Sequence, residues 1–484
     1  MSASFDALRR RALSLGAVRG FDHAMQFLLP VVLVRCLDTA TFGEYRLLWL
    51  VIGTVMAVAT LNMCGTLFFF LPRSSAPRKR LYVHQTMLYL ALAALVCAAA
   101  IGPWNPLLPP AVRPLGEYGL LVPAFVALWV AAILLEHLPT IDERIAWQAY
   151  ATLGLSALRT LVVGAGAWAS GDLRVVLWLL LAVVAVKLAL LLVYVQRRHG
   201  LGRPWFERAA FAEQFRHSAP LGLSNAFFGL RGQSDQWVAA SLFALSSFAA
   251  FSVAALVGQV VHMFRVSVLE ALLPSMSRLQ ASGDVAGMMD MNRRGNVLVA
   301  TLLFPLLAFA FAFAGELITV VYTASYAEAA PAVRLYALGQ AALVVEVGSL
   351  VLLLRQGAFL LWVTACALGL SVAVSWFGAQ HFGLAGAAAG SVLAIYFDRA
   401  LTLRRIARLT ATRFGELQDW DALARRLVLA ALSAALAWAV VAQFLQGAAP
   451  LLRLAVGAGV LGAAYVATSL RGTLFGLRIS KGQT

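Results

Sequence analysis

The chain has 484 residues, 61% of them hydrophobic and only 12% charged, roughly half the charged fraction of a soluble domain. A mean hydropathy of +0.82 excludes an ordinary soluble enzyme and points to a polytopic membrane protein whose apolar residues are solvated by acyl chains. The formal net charge of +16 sits among apolar runs, so its expected partners are anionic lipids at the cytoplasmic loops and an anionic substrate, with no nucleic acid.

The first segment follows a basic start, "ALRRRALSLG", and contains Arg19, Asp22 and His23 without a small-x-small cleavage site. It reads as a retained helix rather than a signal peptide. A hydrocarbon core about 30 Å thick takes roughly 20 apolar residues per helix. That ruler predicts about fourteen spans, at 16–37, 46–71, 83–102, 118–138, 147–169, 174–196, 219–243, 247–273, 295–320, 331–354, 358–379, 384–402, 426–446 and 450–470. The connections near 169–172 and at 380–383 are only a few residues long.

With the N-terminus in the cytoplasm, Arg and Lys cluster on alternate loops, as in Arg73, Arg78, Lys79 and Arg80, in Arg197, Arg198 and Arg203, and in Arg404, Arg405 and Arg408. The other loops carry little beyond Arg46, Arg113 and Arg174. This asymmetry predicts an even span count with both termini cytoplasmic. The segment "RPWFERAAFAEQFRHS" at 203–218 has aromatic residues at helical spacing against charges, which predicts an interfacial helix linking two halves. The expected division is therefore an N-terminal six-helix lobe at 1–202, that linker at 203–218, a second six-helix lobe at 219–402, and two additional helices with a tail at 403–484. Cys36, Cys64, Cys97 and Cys366 all lie in apolar runs with no CxxC, so neither a disulfide nor a metal site is expected. No cofactor is expected either.

An internal repeat emerges from the turns. "LDTATFGEY" at 37–45 and "FALSSFAAF" at 243–251 align without gaps, and Pro72 and Pro274 each close the following span. Two parallel halves related by an axis along the membrane normal would produce this pattern.

Several stretches resemble the polysaccharide-biosynthesis (Wzx-like) flippases. They are "VVLVRCLDTATFGEYRLL", "SDQWVAASLFALSSFAAFSVA", "LLPSMSRL" and "VVYTASYAEAAPAVRLYALG", in family order from residue 16 to about 345. The resemblance implies the fold of the multidrug/oligosaccharidyl-lipid/polysaccharide exporter (MOP) superfamily: all-α, two six-helix lobes around a central cavity, plus two C-terminal helices. It also implies alternating access and an oligosaccharide on a polyprenyl diphosphate as substrate.

Charges deep in a bilayer usually face the bundle interior or a wet cavity. Arg231 lies eleven residues past Pro220, about 16 Å along a helix, and Asp235 is expected one turn further on the same face. The pair reads either as a mutual structural lock or as a substrate cation with its resting partner. Arg265 has no acid at i±3 or i±4, which favours a substrate role. Arg19, with Asp22 and His23 nearby, is a further candidate. Arg159, Lys187 and Glu346 read as coupling or structural charges, with Lys187 pairing to a neighbouring helix or snorkelling. Glu136, His137 and Glu316 read as interfacial. A diphosphate crossing an apolar barrier needs fixed cations, and Arg meets phosphate oxygens bidentately.

Three functions compete. A lipid-linked oligosaccharide flippase fits the excess of deep cations, whereas a multidrug or metabolite antiporter of the same superfamily favours deep acids. A membrane glycan polymerase or ligase needs a large external loop with catalytic groups, and the longest here, at 102–118, is Pro-rich with one acid. The expectation is a monomeric, non-enzymatic transporter of the bacterial cytoplasmic membrane, with polysaccharide polymerase or ligase machinery as a possible partner.

Overall fold

The computed structural model describes residues 20–21, 24–255 and 257–480, so Arg19, Asp22 and His23 lie outside the described residues. The described chain is helical, with no strand. A helix satisfies its backbone polar groups within one segment, which a membrane interior demands. Nine of the described helices are long and apolar enough to cross a bilayer, and Ala24–Cys36 and Leu245–Ala254 are shorter apolar helices. The chain forms two compact units, Met1–Gln233 and Ser234–Thr484.

The first unit contains α1 (Ala24–Cys36), α2 (Thr39–Ala59), α3 (Met63–Phe70), α4 (Ala76–Ile101), α5 (Leu121–Ala132), α6 (Leu138–Ile141), α7 (Ile145–Ser170), α8 (Leu173–Arg198) and α9 (Arg208–Arg231). Asp38 starts α2 by accepting hydrogen bonds from the backbone N–H groups of Ala40 and Thr41, at 2.9 and 3.1 Å, which satisfies donors the first turn leaves orphaned. The Thr41 hydroxyl and N–H hold the Asp38 carboxyl below its ordinary range, against a smaller opposing effect of burial.

The second predicted span is broken between α2 and α3, where Leu61 and Asn62 take left-handed φ values of 39° and 58°. The break frees carbonyls that side chains then satisfy. Tyr89 donates to the Ala59 carbonyl at 2.9 Å, and Ser218 donates to that of Leu61. Gly222 of α9 lies against the Leu61 backbone, where a Cβ would come within 2.4 Å.

The segment expected as a separate interfacial helix at 203–218 differs in the structure. Its helical part is the beginning of α9, which continues through Pro220 to Arg231. The reason is packing, because Gln214 is fully buried. Its amide donates to Thr66 and Thr86 at 3.0 and 2.8 Å and accepts from Gln85 at 2.9 Å. A helix lying on the bilayer surface would leave that amide in water.

The second unit contains α10 (Ser234–Leu242), α11 (Leu245–Ala254), α12 (Val257–Ala281), α13 (Val285–Ala312), α14 (Ala314–Val321), α15 (Ala330–Leu343), α16 (Gly348–Leu353), α17 (Gly357–Thr410), α18 (Trp420–Phe444) and α19 (Pro450–Ser480). The 54 residues of α17 would reach about 80 Å as one rod. Gly383, at φ 59° and ψ −142°, divides it into two helices at the short connection expected from 380–383. The halves fold back on each other, with Ser375 donating to the Ala387 carbonyl at 2.7 Å.

The last two helices belong to the core of this unit. Arg453 of α19 pairs with Glu316 of α14 at 2.7 Å, so Glu316 is also a tertiary partner. Phe313 packs with Ala434, Ala437, Val441 and Leu461.

The repeat between the turns survives in the cores. Phe42 and Phe248 are fully buried, and Tyr45 and Phe251 are buried at the matching positions of helices beginning at Thr39 and Leu245. The proline match does not extend to structure: Pro274 lies inside α12, which runs on to Ala281.

Candidate functional site

Arg231 and Asp235 are not one turn apart on a single helix. Gly232 and Gln233 form a turn between α9 and α10, so Arg231 belongs to the first unit and Asp235 to the second. The Arg231 guanidinium lies 5.6 Å from the Phe228 ring centroid. Asp235 is 3% exposed, and its carboxylate accepts from the Tyr336 hydroxyl at 2.6 Å and from the Gln236 N–H at 2.8 Å. Ser391 also bonds to it. Hydroxyls extend the network, with Ser234 and Ser371 at 2.7 Å and Ser371 and Ser391 at 3.3 Å. A buried carboxylate needs such donors to offset its lost hydration.

Arg265 on α12 has the acid that its own helix lacks. Its Nη1 donates to Glu346 Oε2 at 2.5 Å. Glu346 lies in the break between α15 and α16, and its other carboxylate oxygen accepts from the Gly348 N–H. The Glu346 peptide is clamped on both sides. Its N–H donates to Asn296 at 3.0 Å, and its carbonyl accepts from Asn292 at 3.1 Å and Asn296 at 3.3 Å. Gln418, just before α18, completes the set by accepting from Asn296 at 2.9 Å and donating to Asn292 at 3.1 Å. Buried backbone groups outside a helix need partners, and this cluster supplies them. The spacing along α12 offers no acid at i±3 or i±4, and the partner lies 81 residues away.

Sequence reasoning did not find Asn292, Asn296 or Gln418. The available signal was the i, i+4 spacing of two Asn residues entering an apolar span.

In the first unit, Lys187 of α8 donates to Glu136 at 2.5 Å and stands 4.8 Å from the Trp129 ring. Glu136 is thus a tertiary partner rather than only an interfacial charge. Arg159 lies half-buried on α7. Beyond the span ends, Asp142 accepts from His199 at 2.9 Å and from Tyr194 at 2.8 Å. Burial alone would raise the Asp142 carboxyl, but the His199 contact and the Tyr194 hydroxyl outweigh it and hold the group below its ordinary range.

The fold is similar to that of solved membrane transporters. Residues 144–331 match the family model described as "Polysaccharide biosynthesis protein", in agreement with the resemblance carried by the sequence motifs. Among solved structures, the chain is similar to the lipid II flippase MurJ in its inward closed conformation, with a TM-score of 0.72 at 11% identity over 95% of this chain and 99% of that one. It is also similar to an inward-facing multidrug resistance MATE family transporter of the MOP superfamily, with a TM-score of 0.58 at 13% identity over 80% of this chain and 95% of that one. A point mutant of the Vibrio cholerae MATE transporter VcmN gives 0.52 at 14% identity over 85% and 99%. No curated protein sequence matches the chain.

Proposed function

We propose that this protein is a flippase that moves a polyprenyl-diphosphate-linked oligosaccharide, an O-antigen, capsule or exopolysaccharide unit, across the bacterial cytoplasmic membrane by alternating access. The observation that carries the reading is the reach of the structural likeness. The lipid II flippase corresponds to 95% of this chain, whereas the two MATE transporters correspond to 80% and 85%. The match of 144–331 to a polysaccharide-biosynthesis family model supports the same substrate class.

In this reading Arg231, Arg265 and Arg19 are the cations offered to the diphosphate, and no covalent bond is made or broken. Arg265 is exchanged from Glu346 to the substrate, so its guanidinium is never left bare in an apolar medium. The alternating Lys/Arg loops orient the protein with both termini in the cytoplasm. The polymerase or ligase that consumes the exported unit is the natural functional partner.

Deleting the gene in its source bacterium tests the reading. Lipid-linked oligosaccharide should accumulate on the cytoplasmic face while surface polysaccharide disappears. Unchanged surface polysaccharide with increased sensitivity to cationic drugs would favour the multidrug antiporter instead.

A further inference from the structure

At one end of the first unit, two basic side chains share one aromatic ring. The Arg73 guanidinium lies 3.9 Å from the centroid of Phe69, and the His217 imidazole stacks on the same ring at 4.7 Å with planes 25° apart. Arg73 belongs to the connection after α3, whose last turn carries Phe69, and His217 belongs to α9, so two separate parts of the fold converge on the ring. Arg73 donates to the Phe69 carbonyl at 3.3 Å, and His217 also meets Phe70 edge-on at 5.8 Å.

Among the described residues neither Arg73 nor His217 has a carboxylate within ion-pair distance. The acid one turn before His217, Glu213, accepts from Tyr82 instead. Arg73 and His217 are both exposed, and Phe68 and Phe69 remain 51% and 44% exposed.

A guanidinium stacked on a ring keeps its flat face occupied and turns its N–H edge outward, which is the edge that meets phosphate oxygens. Two basic groups beside two exposed Phe rings match an amphiphile with an anionic head and a hydrocarbon tail. A free phosphate would have no use for the exposed Phe68 ring.

We propose that Phe69, Arg73 and His217, with Phe68, form an outlying docking site for the diphosphate and first isoprene units of a polyprenyl-diphosphate lipid. The inference rests on the flippase reading and adds a site distinct from the deep cations. In it Arg73 and His217 hold the phosphate oxygens, while Phe68 contacts the chain.

Binding to the full-length protein in lipid nanodiscs tests it, with farnesyl diphosphate, farnesol and phosphatidylglycerol as probes read by native mass spectrometry. Arg73→Gln combined with His217→Gln should weaken farnesyl diphosphate binding by about tenfold or more, the loss expected for two charge-assisted hydrogen bonds. Farnesol and phosphatidylglycerol occupancy should stay unchanged. Phe68→Ser, which leaves the stacked trio in place, should weaken farnesyl diphosphate without altering inorganic pyrophosphate binding. Equal loss of phosphatidylglycerol in the double variant would overturn the proposal and mark a general anionic-lipid surface. Full farnesyl diphosphate binding by a folded double variant would overturn it as well. Failure of the unmodified protein to bind any polyprenyl diphosphate would instead count against the flippase reading itself.

Discussion

Arg265 and Glu346, 81 residues apart in sequence, form a 2.5 Å ion pair whose side chains are only 14% and 8% exposed. The pair sits where the tenth predicted span loses its helical backbone, and the same glutamate bonds the Gly348 N–H that opens the next helix. One residue therefore fixes a largely buried cation and a helix break together.

Removing either partner leaves a charge unpaired. Arg265→Ala should destabilise the folded protein by about 3–5 kcal/mol and abolish export. Arg265→Met combined with Glu346→Gln should recover most of the thermal stability, because no lone charge remains buried, yet still fail to export. Melting of the detergent-solubilised protein and complementation of surface polysaccharide separate the two effects. Export by the double variant would remove Arg265 from the substrate path.

Tyr336 gives Asp235 its hydroxyl donor at 2.6 Å. Tyr336→Phe keeps the ring that packs 5.9 Å from Phe251 and removes only the donor. A cost of about 1–3 kcal/mol is expected, largely relieved by adding Asp235→Asn. Calorimetric melting of the single and double variants checks the coupling, and simple additivity would contradict it.

Burial pushes the Asp142 carboxyl up, but His199 and Tyr194 outweigh it and hold the group below its ordinary range. A lowered folded-state pKa means that the unfolded chain binds the proton more readily. The stabilisation is therefore complete above the unfolded value of about 3.9 and is lost as pH falls through the lower folded value. Melting temperatures of the wild type should drop more steeply below about pH 4 than those of Asp142→Asn. Parallel profiles would show that this carboxylate contributes nothing to acid stability.

At Gly383 the backbone takes φ 59° and ψ −142°, a region essentially confined to glycine. A Cβ there meets nothing within 4 Å, so the cost of Gly383→Ala is purely conformational. Destabilisation of about 1–3 kcal/mol is expected, and an unchanged melting temperature would contradict this backbone geometry.

Much of the architecture was legible because hydropathy and turn chemistry are local. The short connection at 380–383 showed itself through the interruption of an apolar run, and Gly383 is where the helix divides. Phe42 and Phe248 announced the repeat because each follows a turn and opens a buried helix. The interruptions at Leu61–Asn62, at Gly232–Gln233 and around Glu346 were not legible. A broken helix in protein surroundings keeps its hydropathy while Tyr89, Ser218 and Asn296 take over its backbone hydrogen bonds. The turn at Gly232–Gln233 also escapes a reading of Arg231 and Asp235 by helical spacing, since i, i+4 spacing presumes an unbroken helix. Glu346 stood out as a deep charge, but its partner Arg265 could not be found from spacing along either helix.

Transport itself can be followed by reconstituting the purified protein in liposomes with a fluorescent polyprenyl-diphosphate-linked oligosaccharide. Access of a membrane-impermeant glycosidase to the sugar reports its leaflet. The wild-type protein should move the sugar between leaflets, and Arg231→Ala, although correctly folded and inserted, should not. No movement by well-folded wild-type protein, with uptake of a cationic dye in its place, would contradict the flippase reading.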